Sequence, residues 1–129
     1  MPSASPAQLL QLLGPLAQRA GLLTSGPFNL GDPRDFRVPD AGLHRGQPDP
    51  DAVYLDTAAM VVEIASPGDE TYDKLPFYAA HGVQEVLIVD PVSRSMAIKA
   101  LAGTGYEDAK RSSLLDLELT RFGEAIRWP

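Results

Sequence analysis

Three residues in this chain could share one piece of chemistry. Glu63 stands inside an apolar run, Met60-Val61-Val62-Glu63-Ile64-Ala65. A carboxylate there gives up hydration, so it needs a positive partner, a metal ion or a proton. Asp40 follows a proline 23 residues earlier, and Lys74 comes eleven residues later. Two carboxylates can hold a hard divalent cation through oxygen. An adjacent lysine can orient a water or balance charge developing on a phosphate. By spacing alone, a chain with 17 acidic residues offers many such pairs. The residue pattern therefore also admits Asp40 as a turn residue, Glu63 as a strand-edge glutamate paired with arginine, and Lys74 as a solvated lysine.

The elements that must carry these residues are readable. Residues 58–66 form the strongest central-strand candidate, being almost unbroken in apolar character. A turn at SPGDET leads into a predicted helix over 70–81, with Leu75, Tyr78 and Ala79 on one face and Gly82 as its stop. Lys74 and Tyr78, four residues apart, then point into one cleft. Tyr78 reads more as core than as chemistry. Gln84–Val89 is a second buried strand closed by Asp90-Pro91, whose Asp90 should bond turn amides. Strand, helix and strand over 58–90 predict a parallel crossover. Ser95–Leu101 alternates and follows a tight turn, so it pairs antiparallel, with a further strand at Gly105–Ala109. The tail holds a short strand or loop and one helical turn.

Upstream, Leu9, Leu12, Leu13, Leu16 and Ala20 make an amphipathic stripe over 7–20. Ser5 is placed to cap that helix, Pro6 to open it, Pro15 to kink or restart it, and Gly21 to end it. Residues 24–51 are turn-rich, with short extended pieces at 36–38 and 41–44 on either side of Pro39-Asp40. His44 and His81 form no metal-ligand pair. Asp69 and Glu70 are suited to a helix start, and Trp128 to anchoring the tail. Lys110, Arg111, Arg121 and Arg127 are interspersed with acids and read as a mixed solvated surface. The class is α/β with a mixed sheet.

Bulk composition narrows the function. One hundred and twenty-nine residues suit a single domain. No cysteine is present, which excludes disulfides and thiolate metal sites and suits a reducing cytoplasm. No apolar stretch approaches the roughly 20 residues of a membrane span, and the N-terminus carries no secretory pattern. A net charge of −6 argues against broad, sequence-independent nucleic-acid binding, although a small basic cleft is compatible with it.

VPDAG at 38–42, followed by VVEIASPGDETYDKLPFYAAHGVQEVLIVDP at 61–91, resembles the Uma-two family of the PD-(D/E)XK, restriction-endonuclease-like superfamily. The likeness runs from about Phe36 to the end of the chain. It is densest in the Glu-x-x-Ser-Pro step, the Lys-x-x-x-Tyr pair and the Val-Asp-Pro turn. It implies one restriction-endonuclease-like domain over 1–129, with an N-terminal helix in 1–23, a nuclease-like core in 36–129, and a central mixed β-sheet flanked by helices. It implies that Asp40 and Glu63 ligate Mg²⁺ or Mn²⁺, joined by the Ile64 carbonyl. The superfamily's lysine usually lies two residues after the acid, where this chain has Ala65, so the resemblance assigns that role to Lys74. The implied activity is endonucleolytic hydrolysis of DNA phosphodiester bonds by a cytoplasmic protein, expected as a homodimer so as to reach both strands. The rival expectation is a non-catalytic member of the fold that serves in nucleic-acid binding or oligomeric assembly; a purely structural oligomer is the third.

Overall fold

A computed structural model of the chain describes residues 6–65 and 71–125. Its first element is α1 (Pro6–Arg19), continuous through Pro15. Of the leucine stripe, Leu9 and Leu13 are wholly buried, Leu12 and Leu16 partly so, and Ala17 is buried in place of the exposed Ala20. Gly21 takes a φ of +76° just beyond the helix, a conformation that suits glycine.

Six strands make the main sheet: β1 (Leu22–Ser25), β4 (Ala41–Arg45), β6 (Met60–Ile64), β7 (Glu85–Asp90), β8 (Ser95–Ala102) and β9 (Gly105–Ala109). They lie in the order β1-β4-β6-β7-β8-β9. Only β6 and β7 run parallel; every other neighbouring pair is antiparallel. The parallel pair is the one joined by a helical crossover, as predicted for 58–90. Between them lie a 3-10 turn at Tyr72–Lys74 and α2 (Leu75–Ala80). The continuous helix expected over 70–81 is therefore shorter. Pro76 has no N–H to offer the Tyr72 carbonyl, and the Leu75 N–H takes that acceptor in a 3-10 bond instead.

The turn-rich reading of 24–51 missed two strands. β1 and β2 (Asn29–Asp32) flank Gly26-Pro27-Phe28, and each is only four residues long. β2 joins β3 (Asp35–Arg37) and β5 (Tyr54–Leu55) in a small second sheet ordered β3-β2-β5. β10 (Arg111–Ser112) and β11 (Leu117–Glu118) form a short hairpin. It leads into α3 (Leu119–Ala125), which exceeds the single turn expected. The roles expected of Ser5, Asp69, Glu70, Arg127 and Trp128 fall outside the described residues.

The alternation of β6 and β7 sorts the core. Met60, Val62, Leu87 and Val89 face Leu9, Leu13 and Phe122 of α1 and α3. Val61, Val86 and Ile88 face the other way, onto Tyr78, Leu30 and Val83. Glu63 shares the Val61 face, so it looks toward α2 and the small sheet. A second buried acid, Glu85, accepts bonds from the Ser112 hydroxyl (2.5 Å) and from the Ser113 and Leu114 amides (2.8 and 3.2 Å). It ties the β10–β11 hairpin to the main sheet. Among the described residues no helix is long and apolar enough to cross a membrane.

Candidate active site

Asp40 lies one residue before β4, where the register pairs Ala41 with Val62. Its own N–H donates to the Val62 carbonyl at 3.0 Å. Its Oδ2 accepts the Ile64 N–H at 2.7 Å. Asp40 thus makes the local backbone bond expected of a turn residue, through one of its two oxygens. One oxygen finishes the edge of β6, and Oδ1 makes no bond among the described residues.

Glu63 is 2% exposed. Its carboxylate is met from the helical side by two donors. Lys74 Nζ sits 3.3 Å from Oε1 and 3.4 Å from Oε2. The Tyr78 hydroxyl donates to Oε1. Lys74 ends the 3-10 turn and Tyr78 lies four residues on, one helical turn away, so both reach the same strand residue. The positive partner that Glu63 required is Lys74, whose side chain is 27% exposed.

Burial raises the Glu63 pKa. The Tyr78 hydrogen bond and the Lys74 charge pull it down, while the neighbouring charge of Asp40 pushes it up again. Asp40 thus lies within electrostatic reach of Glu63. Tyr78 is fully buried, and its hydroxyl is held protonated by burial, by its bond to Glu63 and by both acids; the charge of Arg37 acts in the opposite direction. Tyr78 is therefore a permanent donor.

The sequence brought Asp40, Glu63 and Lys74 forward, and the fold brings all three together. Tyr78, read chiefly as core, is buried and also donates its hydroxyl to Glu63. Arg37 was not singled out. It lies three residues before Asp40 on β3, and its guanidinium stacks over the Phe77 ring at 4.4 Å. The sequence signal was its place in Phe-Arg-Val-Pro-Asp. Neither His44 nor His81 bonds to the carboxylates of Asp40 and Glu63, although the His81 ring lies 4.3 Å from that of Phe77. His44 Nε2 is 2.7 Å from the Ser25 hydroxyl, and His81 Nδ1 is 3.0 Å from the Asp56 carbonyl oxygen. A cavity of about 250 Å³ opens beside His44, Asp56 and Thr57 and includes none of the site residues.

Among the described residues no three acidic or histidine side chains converge as a metal cluster. The oxygens in place are those of Asp40 and Glu63, hard donors with a cation already beside them. The arrangement offers two acceptor carboxylates, an ammonium and a phenolic donor around one point.

Comparison with known proteins follows the same direction. No curated protein matches the chain. A solved structure described as "a putative nuclease belonging to DUF820 from Anabaena variabilis ATCC 29413" superposes with a TM-score of 0.69 at 14% identity, over 93% of this chain and 78% of that one. At that identity the likeness shows the fold, a nuclease-like mixed α/β architecture. The sequence model of the Uma2 family, described as "Putative restriction endonuclease", matches residues 3–122 and so extends back over α1. With nearly its whole length matched, and with Asp40, Glu63, Lys74 and Tyr78 brought together, the chain belongs to the Uma2 (Uma-two) family.

Proposed function

We propose that this protein is a divalent-metal-dependent nuclease that hydrolyses DNA phosphodiester bonds at Asp40, Glu63 and Lys74. The observation that carries the reading is the buried Glu63 carboxylate, held between Lys74 and Tyr78 with Asp40 alongside. Burying such an acid costs the fold stability that its partners only partly offset, and a role in metal binding supplies a reason to keep it.

The donor set fits Mg²⁺ or Mn²⁺. Mg²⁺ is commonly bound by one or two carboxylates, with water and substrate phosphate completing its shell. Asp40 and Glu63 would hold it; the like charge that lifts the Glu63 pKa is the charge a dication offsets. Bound there, the metal would make its water more acidic and polarise the phosphate. Asp40 is steadied because Oδ2 is tied to the Ile64 amide, which leaves Oδ1 for a ligand. Glu63 cannot rotate away while the Tyr78 hydroxyl holds Oε1. Lys74, at the long distances of 3.3 and 3.4 Å from Glu63 and partly exposed, can turn its ammonium toward a phosphate oxygen as negative charge builds there. Cutting both strands of a duplex would take two copies of such a site, in keeping with a homodimer. The acidic net charge and the alanine at position 65 favour the rival reading, a non-catalytic binding module.

Two measurements on the same preparations test the proposal. Wild type should nick plasmid DNA with Mn²⁺, and Asp40→Ala and Glu63→Ala should lose that activity by at least about 100-fold, the scale of removing a group that acts directly in the reaction. Mn²⁺ should also raise the melting temperature of wild type but not of Glu63→Ala, since a ligand at about 100 times its Kd stabilises by about 2.7 kcal/mol. No metal shift and no cleavage would leave the non-catalytic module. Cleavage that survives in both variants belongs to a contaminant.

A further inference from the structure

We infer that Arg37 is the substrate-phosphate anchor of this site: its guanidinium is pre-set on the Phe77 ring, next in sequence to Tyr78, and Arg37 itself stands three residues before Asp40. The inference rests on the nuclease reading and adds to it the residue that grips the nucleic-acid backbone.

Arg37 is held on two sides. Phe77 lies 4.4 Å from its central carbon. Its Nη1 donates to Asp35 Oδ1 at 2.7 Å and to the Phe36 carbonyl at 3.0 Å. Nε and Nη2 make no bond among the described residues. Arginine presents its donors as a planar fork that fits two oxygens of a phosphate at once, and a fork already stacked loses less freedom on binding. With Nη1 engaged, the Nε–Nη2 edge is the one left to meet a ligand, on a side chain that is 38% exposed.

The fold places this edge near the chemistry. From Arg37 the chain runs through Val38 and Pro39 to Asp40, and three residues span at most about 10 Å. Phe77, on which the guanidinium rests, is the sequence neighbour of Tyr78, the donor to Glu63. The charge of Arg37 is felt at that hydroxyl. An exposed arginine–aspartate pair adds little to stability, so the pairing with Asp35 alone gives little reason for the arrangement. Charge supplies one. A molecule with a net charge of −6 repels a polyanion, and its approach must be led by cations concentrated at the cleft. Lys74 and Arg37 stand there, one beside the acids and one at the rim.

The test compares wild type, Arg37→Gln and Arg37→Lys in Mn²⁺-dependent cleavage of a labelled DNA duplex, with affinity for that duplex measured across a salt series. Glutamine keeps an aliphatic stem over Phe77 and removes the charge. Arg37→Gln should raise KM and Kd by about ten-fold, with kcat within about two-fold of wild type. It should reduce the slope of log affinity against log salt by about one. Arg37→Lys should restore the slope but only part of the affinity. A variant that was merely misfolded would lower kcat in proportion to the folded fraction and leave KM alone. KM and salt slope equal to wild type in Arg37→Gln would overturn the anchor and leave the nuclease reading standing. A wild type that neither cleaves nor binds the duplex would remove the nuclease reading, and Arg37's role with it.

Discussion

At the scale of single residues, Tyr78 decides how well Glu63 is aimed. Lys74 is partly exposed and can swing; Tyr78 is wholly buried and cannot. Its proton is held in place by burial and by two nearby acids, so the hydroxyl keeps a proton to donate to Glu63. Replacing Tyr78 with Phe keeps the packing on Leu30 and Val83 but leaves Glu63 Oε1 with Lys74 alone. A buried acceptor deprived of a donor costs about 1–3 kcal/mol, read as a lower urea midpoint. Partners that orient a ligating group are worth about 10–100-fold in metal affinity or activity. Tyr78→Phe should therefore need more Mn²⁺ for half-maximal cleavage. An unchanged metal requirement in a correspondingly less stable protein would mean that the hydroxyl serves packing alone.

At the scale of elements, the edge strand β1 is fastened to β4 by a polar contact. His44 is buried, its Nε2 lies 2.7 Å from the Ser25 hydroxyl, and the Phe28 ring meets it edge-on at 4.8 Å. Burial lowers its pKa below the ordinary 6.5, so the folded protein holds it neutral. The unfolded chain binds that proton more readily. The stability due to neutral His44 is thus complete above pH 6.5 and declines as the pH falls through 6.5 toward the lower folded value. Urea midpoints should fall between about pH 7 and 5.5, and more steeply in wild type than in His44→Gln. Equal slopes in the two proteins would dissociate His44 from the effect. These same elements show what a sequence makes legible. β6 could be read because Met60–Ile64 is buried on both faces, which leaves Glu63 conspicuous. β1 and β2 could not, since Leu22–Ser25 and Asn29–Asp32 are too short for alternation to register and are separated by Gly26 and Pro27, which signal a turn. The 3-10 lead-in to α2 turns on one missing amide at Pro76 rather than on periodicity. Glu85 and Arg37 depend on partners brought close by folding: Glu85 meets Ser112, 27 residues on, and Arg37 meets Phe77. Asp40, Glu63 and Lys74 were legible because a recognisable family pattern surrounds them.

At the scale of the whole molecule, the main sheet separates two tasks. One face is closed by α1 and α3 around Leu9, Leu13, Met60, Leu87 and Phe122, with no ionised group of the site among them. The other face carries Glu63, Tyr78, Lys74 and Arg37, where burial of charge works against stability. The first face must then supply the stability that the second spends. Leu13→Ala, which empties a fully buried position on α1, should cost about 2–5 kcal/mol, depending on how far the helix settles into the gap. Its effect on chemistry should be small, because the sheet lies between Leu13 and the carboxylates. At temperatures where the variant remains folded, its KM for DNA, its Mn²⁺ requirement and the salt dependence of its binding should equal those of wild type. Arg37→Gln should do the reverse, shifting KM and the salt dependence while the urea midpoint stays close to wild type. Measuring both quantities on both variants tests the division directly. A Leu13→Ala protein that is fully folded yet needs more metal would show that the two faces are coupled through β6, whose Met60 and Val62 pack on one side while Glu63 faces the other.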